Sequence, residues 1–405
     1  VTSFALHPTP VPPDADPRVV VRLYGATDVG HTREHNEDTF LVADLESNVI
    51  IAFEHGSETR TEGVHGLLFM VADGMGGAAA GEIASEMAAH VVYDELRTRW
   101  RSVANPSPDL FAAALRDAAE TANARIHAFA KQHPEHRGMG TTATIAGLFG
   151  DRVYIAQVGD SRAYLLRDDR LILLTRDQSL MQRLVDAGEI SEEQAEASER
   201  RNIILQALGP EPVVKIDLTH QQIRHGDTLI VCSDGLSGVA RLRDIEEAAR
   251  EEDDPAVLCH RLIAKANELG GPDNITVVAA RFEGDALQLA PAGEVVGRTV
   301  YPLRGTLADD ERTPTRGARP VAAGTLSSGA PSPIAASPLG DALPSPGFPV
   351  LEPARPMAGR GDGARGDGAR ADRQERALPI MVLLVLLGVV AAGWILLQLF
   401  TRGDA

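Results

Sequence analysis

Apolar runs in this chain repeatedly stop at an aspartate standing beside a glycine, and that juncture narrows the folds open to it. Val71-Ala72 leads into Asp73-Gly74, Val158-Gly159 into Asp160, and Val231-Cys232-Ser233 into Asp234-Gly235. Gly270-Gly271-Pro272-Asp273-Asn274 opens the run Ile275–Phe282. A further acidic stretch, Asp28 to Asp38, ends in Asn36, Glu37 and Asp38 at the entry of another apolar run. A carboxylate taken out of water alone is costly. Anions repeated at strand ends therefore imply convergence on cations, and hard oxygen ligands suit Mg²⁺ or Mn²⁺ rather than zinc. Glycine beside each aspartate lets backbone approach, and its carbonyl is itself a possible ligand. Taken singly, an Asp-Gly pair is an ordinary turn signal.

Strand candidates are Val20–Ala26, Thr39–Ala43, Leu67–Ala72, Thr142–Leu148, Val153–Val158, Ala163–Leu166, Leu171–Leu174, Val213–Leu218, Thr228–Cys232 and Ile275–Phe282. Helical spacing runs through Phe111, Leu115, Ala118, Ala122, Ile126 and Phe129, with Ser107 as cap and Pro108 in the first turn. Ile83, Met87 and Val91 mark a second helical stripe. Strands in series with helices grouped between them favour an α+β fold with largely antiparallel sheets. Residues 44–66 are expected to form a hairpin extension.

The chain has 405 residues, 44% of them hydrophobic, enough for one large core or two modest ones, and a formal charge of -18 that argues against a nucleic-acid footprint. Cys232 and Cys259 have neither zinc-site nor redox-pair spacing and read as core residues in a reducing compartment. Residues 1–19 hold five prolines and no apolar run of signal-peptide type, so a disordered leader is expected before a globular region at 20–283. Residues 284–377, rich in Pro, Gly, Ala and Arg, read as a flexible tether. Thr313, Thr315 and Ser332 beside prolines there are read as disorder rather than phosphosites. Residues 378–400 contain no charge, and as a helix they would reach about 34 Å, enough for a hydrocarbon core of about 30 Å. Arg360, Arg365, Arg370, Arg373 and Arg376 precede that run and only Arg402 follows it. The positive-inside rule then places residues 1–377 in the cytoplasm, below a single-pass inner-membrane span and a short 401–405 tail.

The segments DVGHTREHNED, VADGMGG, GMGTTAT, VGDSRAY, SDGLSGV and GPDNITVV, in this order over residues 22–283, resemble the bacterial branch of the PPM, or type 2C, serine/threonine protein phosphatases. The resemblance implies an α-β-β-α sandwich of two antiparallel sheets flanked by helices. It implies Asp73 as a bridge between two metals, the Gly74 carbonyl and the pair Glu37 and Asp38 on the second metal, and Asp234 and Asp273 on the first. Arg33 matches the phosphate-holding arginine. Asp160, with Asp234, matches the holders of a weaker third metal, and Asn274 orients the site. Two Mn²⁺ or Mg²⁺ ions sharing a water would make hydroxide available near neutral pH for in-line attack on a phosphoserine or phosphothreonine phosphorus. A guanidinium fork matches phosphate geometry better than an ammonium.

Two departures stand out. Met75 occupies the position where some members carry a histidine proposed as general acid, and Asp177-Gln178-Ser179 stands where Asp-His-Ser is usual, at the start of the mobile flap formed by residues 175–201. His31 and His35 read as bystanders, and Thr141 and Thr142 as structural. Implied partners are phosphorylated proteins, among them Ser/Thr kinases and their substrates. A phosphatase acting on a partner-switching regulator of transcription is an alternative. A catalytically dead phosphoprotein-binding scaffold is another, but it would lack a metal carboxylate, and Asp73, Asp234, Asp273 and Arg33 are all present.

Overall fold

The computed structural model describes residues 18–302 except 77–79, 199, 292 and 295. The strands run β1 Val20–Asp28, β2 Asp38–Asp44, β3 Val49–Ile50, β4 Glu58–Thr61, β5 Leu67–Met75, β6 Gly140–Thr141, β7 Ala143–Phe149, β8 Arg152–Val158, β9 Arg162–Arg167, β10 Arg170–Leu173, β11 Asp217–Gln222, β12 Thr228–Cys232, β13 Ile275–Glu283 and β14 Thr299–Val300. The helices are α1 Ala80–Glu95, α2 Pro108–Gln132, α3 Leu180–Asp186, α4 Glu192–Glu196, α5 Asp234–Ser237, α6 Leu242–Glu251 and α7 Pro255–Glu268. One sheet has the order β10-β9-β12-β13-β1-β4 and the other β14-β11-β8-β7-β5-β2-β3, with β6 paired to β5. The strand pairs are antiparallel.

Side-chain alternation explains the layering. Along β5, Leu67, Phe69 and Val71 enter the core between the sheets. Leu68, Met70 and Ala72 face a second core built with α1 and α2. Along β13, Val278, Ala280 and Phe282 face the inter-sheet core, while Ile275, Val277 and Ala279 meet α6 and α7 in a third. Strands buried on both faces read as continuous apolar runs, which is why periodicity alone did not divide their faces. The result is the expected α-β-β-α sandwich. Cys232 and Cys259 are both buried free thiols in the third core.

Ser107 caps α2, its hydroxyl accepting from the Leu110 N–H at 3.4 Å, and Phe111, Leu115, Ala118, Ala122 and Ile126 form the buried stripe. In α1 the deepest stripe is Ala84, Ala88 and Val92; Ile83 and Met87 pack at its margin. Small residues bring α1 close to the sheet, so the large side chains sit to the side.

Four expectations need correction or limits. Residues 44–66 are only partly a hairpin: β3 returns on β2, but β4 crosses to pair with β1 in the other sheet. The strand expected at Val213–Leu218 lies at Asp217–Gln222, and Val213 is 81% exposed. The tether does not begin at residue 284. Leu287 and Val296 enter the inter-sheet core, and β14 pairs with β11. Glu294 bonds Arg167 at 2.8 Å and Arg224 at 2.5 Å. The leader at 1–17, the rest of the tether and the apolar run 378–400 lie outside the described residues. Among those described, no helix is long and apolar enough to cross a membrane.

Candidate metal centre

Strand direction gathers the acidic residues at one end of the sandwich. Asp38 opens β2 directly opposite Asp73, near the end of β5. Asp28 ends β1 opposite Ile275, which opens β13 just after Asp273 and Asn274. Cys232 ends β12 opposite Val277 and Arg162, so Asp234 follows β12 at the end where Asp160 precedes β9. Antiparallel register, rather than nearness in sequence, makes these groups neighbours.

The backbone glycines permit the approach. A Cβ on Gly74 would lie 2.2 Å from the Gly81 carbonyl oxygen and 2.5 Å from that of Glu37. A Cβ on Gly235 would lie 1.9 Å from the Asn274 carbonyl oxygen. Any side chain at either position would push the first turn of α1 or the Asp273–Asn274 loop away.

Asn274, 3% exposed, ties the Asp28–Asp38 loop to the loop of Asp273. Its Nδ2 donates to the carbonyls of Val29 and His35, both at 2.9 Å, and its Oδ1 accepts from the Glu37 N–H at 2.8 Å. The Arg33 guanidinium donates to Asp273 Oδ2 at 2.8 Å and lies 3.8 Å from Glu37. It is 45% exposed at its side chain, open to an incoming anion. His31 and His35 enter the network through their backbones: the His31 N–H donates to the Gly271 carbonyl at 2.8 Å, and the His35 carbonyl accepts from Asn274.

Two groups missed at the sequence level, Ser233 and Thr276, orient Asp38; both hydroxyls donate to its Oδ2 at 2.7 Å. Both stand inside the motif segments already singled out, and adjacency to Asp234 and Asn274 was the signal available. Thr142 is the counterpart on the other side. Its hydroxyl accepts from the Asp73 N–H at 2.9 Å, and the Thr141 hydroxyl donates to the Asp73 carbonyl at 2.9 Å. Thr141 and Thr142 are structural, as expected, but the structure they hold is the Asp73 backbone.

The electrostatics are those of buried anions held together with only partial compensation from Arg33. Burial, reinforced by the neighbouring Asp234 and Asp273, pushes Asp38 up to about 7 against the help of its two hydroxyl donors. Burial and then Asp234 push Asp160 to about 8. Asp73 is driven well above the carboxylate range by burial and by Asp38, Asp234, Asp160 and Asp273. Asp234 and Glu37 are raised too, each chiefly by burial. Asp160 Oδ1 is buried with no hydrogen-bond partner. Among the described residues, no three His, Cys, Asp or Glu side chains close on one point as a finished cage. Repelling buried carboxylates with an orphaned oxygen fit hard divalent cations.

The protein phosphatase 2C family model matches residues 58–262. The serine/threonine phosphatase stp of Listeria welshimeri is 37% identical over 253 residues, spanning 62% of this chain and 92% of that protein. The serine/threonine protein phosphatase PstP of Mycobacterium tuberculosis is 42% identical over 218 residues, 53% of this chain and 40% of that one. Among solved structures, the catalytic domain of PstP in complex with two manganese ions superposes with a TM-score of 0.54 at 35% identity, covering 65% of this chain and 99% of that domain.

Proposed function

This chain belongs to the protein phosphatase 2C family, and from that membership we propose that it hydrolyses phosphoserine and phosphothreonine in proteins at the carboxylate-lined end of its two sheets. It is a protein serine/threonine phosphatase, and in this reading its role opposes that of protein kinases. The observation that carries this reading is that antiparallel register gathers Asp38, Asp73, Asp160, Asp234 and Asp273 at one end of the sheets, with the exposed guanidinium of Arg33 bonded to Asp273.

Asp73, facing Asp38 across the strand pair, would bridge two divalent cations, with Glu37, Asp38 and the Gly74 carbonyl toward one and Asp234 and Asp273 toward the other. Bound there, Mn²⁺ or Mg²⁺ would supply a water acidic enough to act as nucleophile near neutral pH, together with charge for the phosphoryl oxygens. The chain's own residues do the rest. Arg33 trades part of its bonding to Asp273 for phosphate oxygens and fixes the phosphoryl group with its planar fork. Asn274 holds the Arg33 loop at fixed distance from Asp273. Ser233 and Thr276 occupy Asp38 Oδ2 and so aim its second oxygen. Asp160, whose buried Oδ1 has no hydrogen-bond partner, would with Asp234 hold a third, weaker ion.

We further propose that residues 378–400 anchor the enzyme in the inner membrane with the catalytic end in the cytoplasm. The uncharged run and the arginines before it support this. Confinement to one surface would raise the effective concentration of membrane-bound kinases and their substrates.

Phosphate release from a phosphothreonine peptide tests the activity, using the full chain in detergent with Mn²⁺, with chelator, and as Asp234→Ala. Release that needs the cation and disappears in the variant is the expected result. No release with any divalent cation, from folded protein, would exclude the enzyme and favour a phosphoprotein-binding scaffold.

A further inference from the structure

The segment between Ser179 and Leu205, which holds most of the flap, is fastened to the backbone just before Asp160, and its fastening residue is Gln178. The Gln178 N–H donates to the Gly159 carbonyl at 2.9 Å, and its side-chain Oε1 accepts from the Gly159 N–H at 3.0 Å, so both amide groups of Gly159 are engaged by one residue. The far end of the flap returns to the same residue: the Leu205 N–H donates to the Gln178 carbonyl at 2.7 Å, while Gln178 Nε2 donates to the Lys215 carbonyl at 3.3 Å. Next to it, Arg162 grips Asp177 with Nε at 2.9 Å and Nη2 at 2.7 Å.

On the other side of Asp160, Ser161 is held by the Thr142 hydroxyl at 2.8 Å, and its carbonyl accepts from the Thr144 hydroxyl at 2.8 Å. Gly159, at φ +99°, lies against Thr142, where a Cβ would come within 2.7 Å of the threonine methyl. Thr142 in turn carries the Asp73 backbone. The Asp160 backbone is thus constrained on both flanks, while its buried carboxylate oxygen Oδ1 has no protein partner. An over-determined backbone beneath an unpartnered carboxylate is how a cation ligand is aimed when the cation itself supplies the missing partner.

We infer that Gln178 is a positioning residue for Asp160, tying the set of the flap to the place where Asp160 meets a cation. The inference rests on the reading of this end of the sandwich as a cation site. It gives Gln178, which replaces the histidine usual at this position, a task that needs no titratable group: one carboxamide accepts from Gly159 and donates to Lys215 at once.

The test is Mn²⁺ binding, followed by electron paramagnetic resonance of the free ion, on the full chain in detergent without substrate. Asp160→Asn identifies the class of Mn²⁺ that depends on this carboxylate. Gln178→Met keeps the length of the side chain and loses both of its hydrogen bonds. It is expected to weaken that class about 10- to 100-fold, to leave the remaining Mn²⁺ affinity unchanged, and to keep the thermal midpoint of the metal-free protein close to that of the parent. Gln178→Glu retains the acceptor for the Gly159 N–H and is expected to bind that class more tightly than Gln178→Met. If Gln178→Met binds every class like the parent, or weakens all classes equally, Gln178 has no positioning role. If Asp160→Asn loses no class while the parent binds Mn²⁺, the assignment of Asp160 fails along with it. Failure of the parent to bind Mn²⁺ would instead overturn the cation site itself.

Discussion

Replacing Asn274 by alanine removes three side-chain hydrogen bonds at 2.8 to 2.9 Å and leaves the Val29 and His35 carbonyls and the Glu37 N–H without their partner. At about 1 kcal/mol of net stability for each bond, the loss is about 3 kcal/mol. The three anchors bracket Arg33, so the phosphate-binding loop loosens as well. A shift on the order of 1 Å at the reacting centre costs about 100-fold in rate. Asn274→Asp should be worse than alanine, although it is closer in shape. It keeps an acceptor for the Glu37 N–H but turns an anion toward two carbonyl oxygens and sets it beside Asp273. Urea unfolding in chelator, followed through the fluorescence of Trp100 in its ring cluster with Phe111 and Phe149, measures the first quantity. The value of kcat/KM on a phosphothreonine peptide with Mn²⁺ measures the second. An alanine variant indistinguishable from the parent in both assays would refute the assignment of Asn274 as the clamp between the two loops. So would an aspartate variant more stable than the alanine one.

Three further outcomes are expected. Arg33→Lys should raise KM for a phosphopeptide about tenfold, since an ammonium lacks the planar fork, and leave Mn²⁺ binding unchanged; an unaltered KM would remove Arg33 from substrate binding. Mn²⁺ at 100 times its dissociation constant should stabilise the parent by about 2.7 kcal/mol, and Asp234→Ala should show a smaller gain; equal gains would place the cations elsewhere. Glu62 accepts the Gly150 N–H at 2.5 Å, and burial pushes its carboxyl up to about 7. A raised carboxyl stabilises the fold fully below its unfolded value of about 4.5 and loses that contribution as pH rises through about 7. Glu62→Gln should therefore flatten the decline in stability across that window, and an unchanged slope in a pH series of unfolding curves would contradict it.

Much of the sandwich was legible because its central strands are buried on both faces. Leu67–Ala72 and Thr228–Cys232 are continuous apolar runs whose limits show in the sequence whatever they pair with. The short strands were not legible. β3, β6 and β14 have two residues each, and β4 reads Glu-Thr-Arg-Thr; their extended form comes from the partner strand rather than from their own composition. β11 was displaced for the same reason: the apolar Val213 is turned to solvent, while the polar stretch Asp217–Gln222 pairs with β8.

The site divides in the same way. Residue types and their place at the ends of strands were properties of the sequence alone, since a carboxylate beside glycine after an apolar run is a local statement. So was the shift in composition that begins near residue 284, although it set the start of the tether too early. Which carboxylate faces which was decided by tertiary structure. Asp38 meets Asp73 through the antiparallel register of β2 and β5, and Ser233 reaches Asp38 across 195 residues of chain. The attachment of Leu287, Glu294 and Val296 was decided there too, because Glu294 bonds both Arg167, at the end of β9 in one sheet, and Arg224, just past β11 in the other. Local pattern records what a residue prefers, and only the packed chain determines which distant group satisfies that preference.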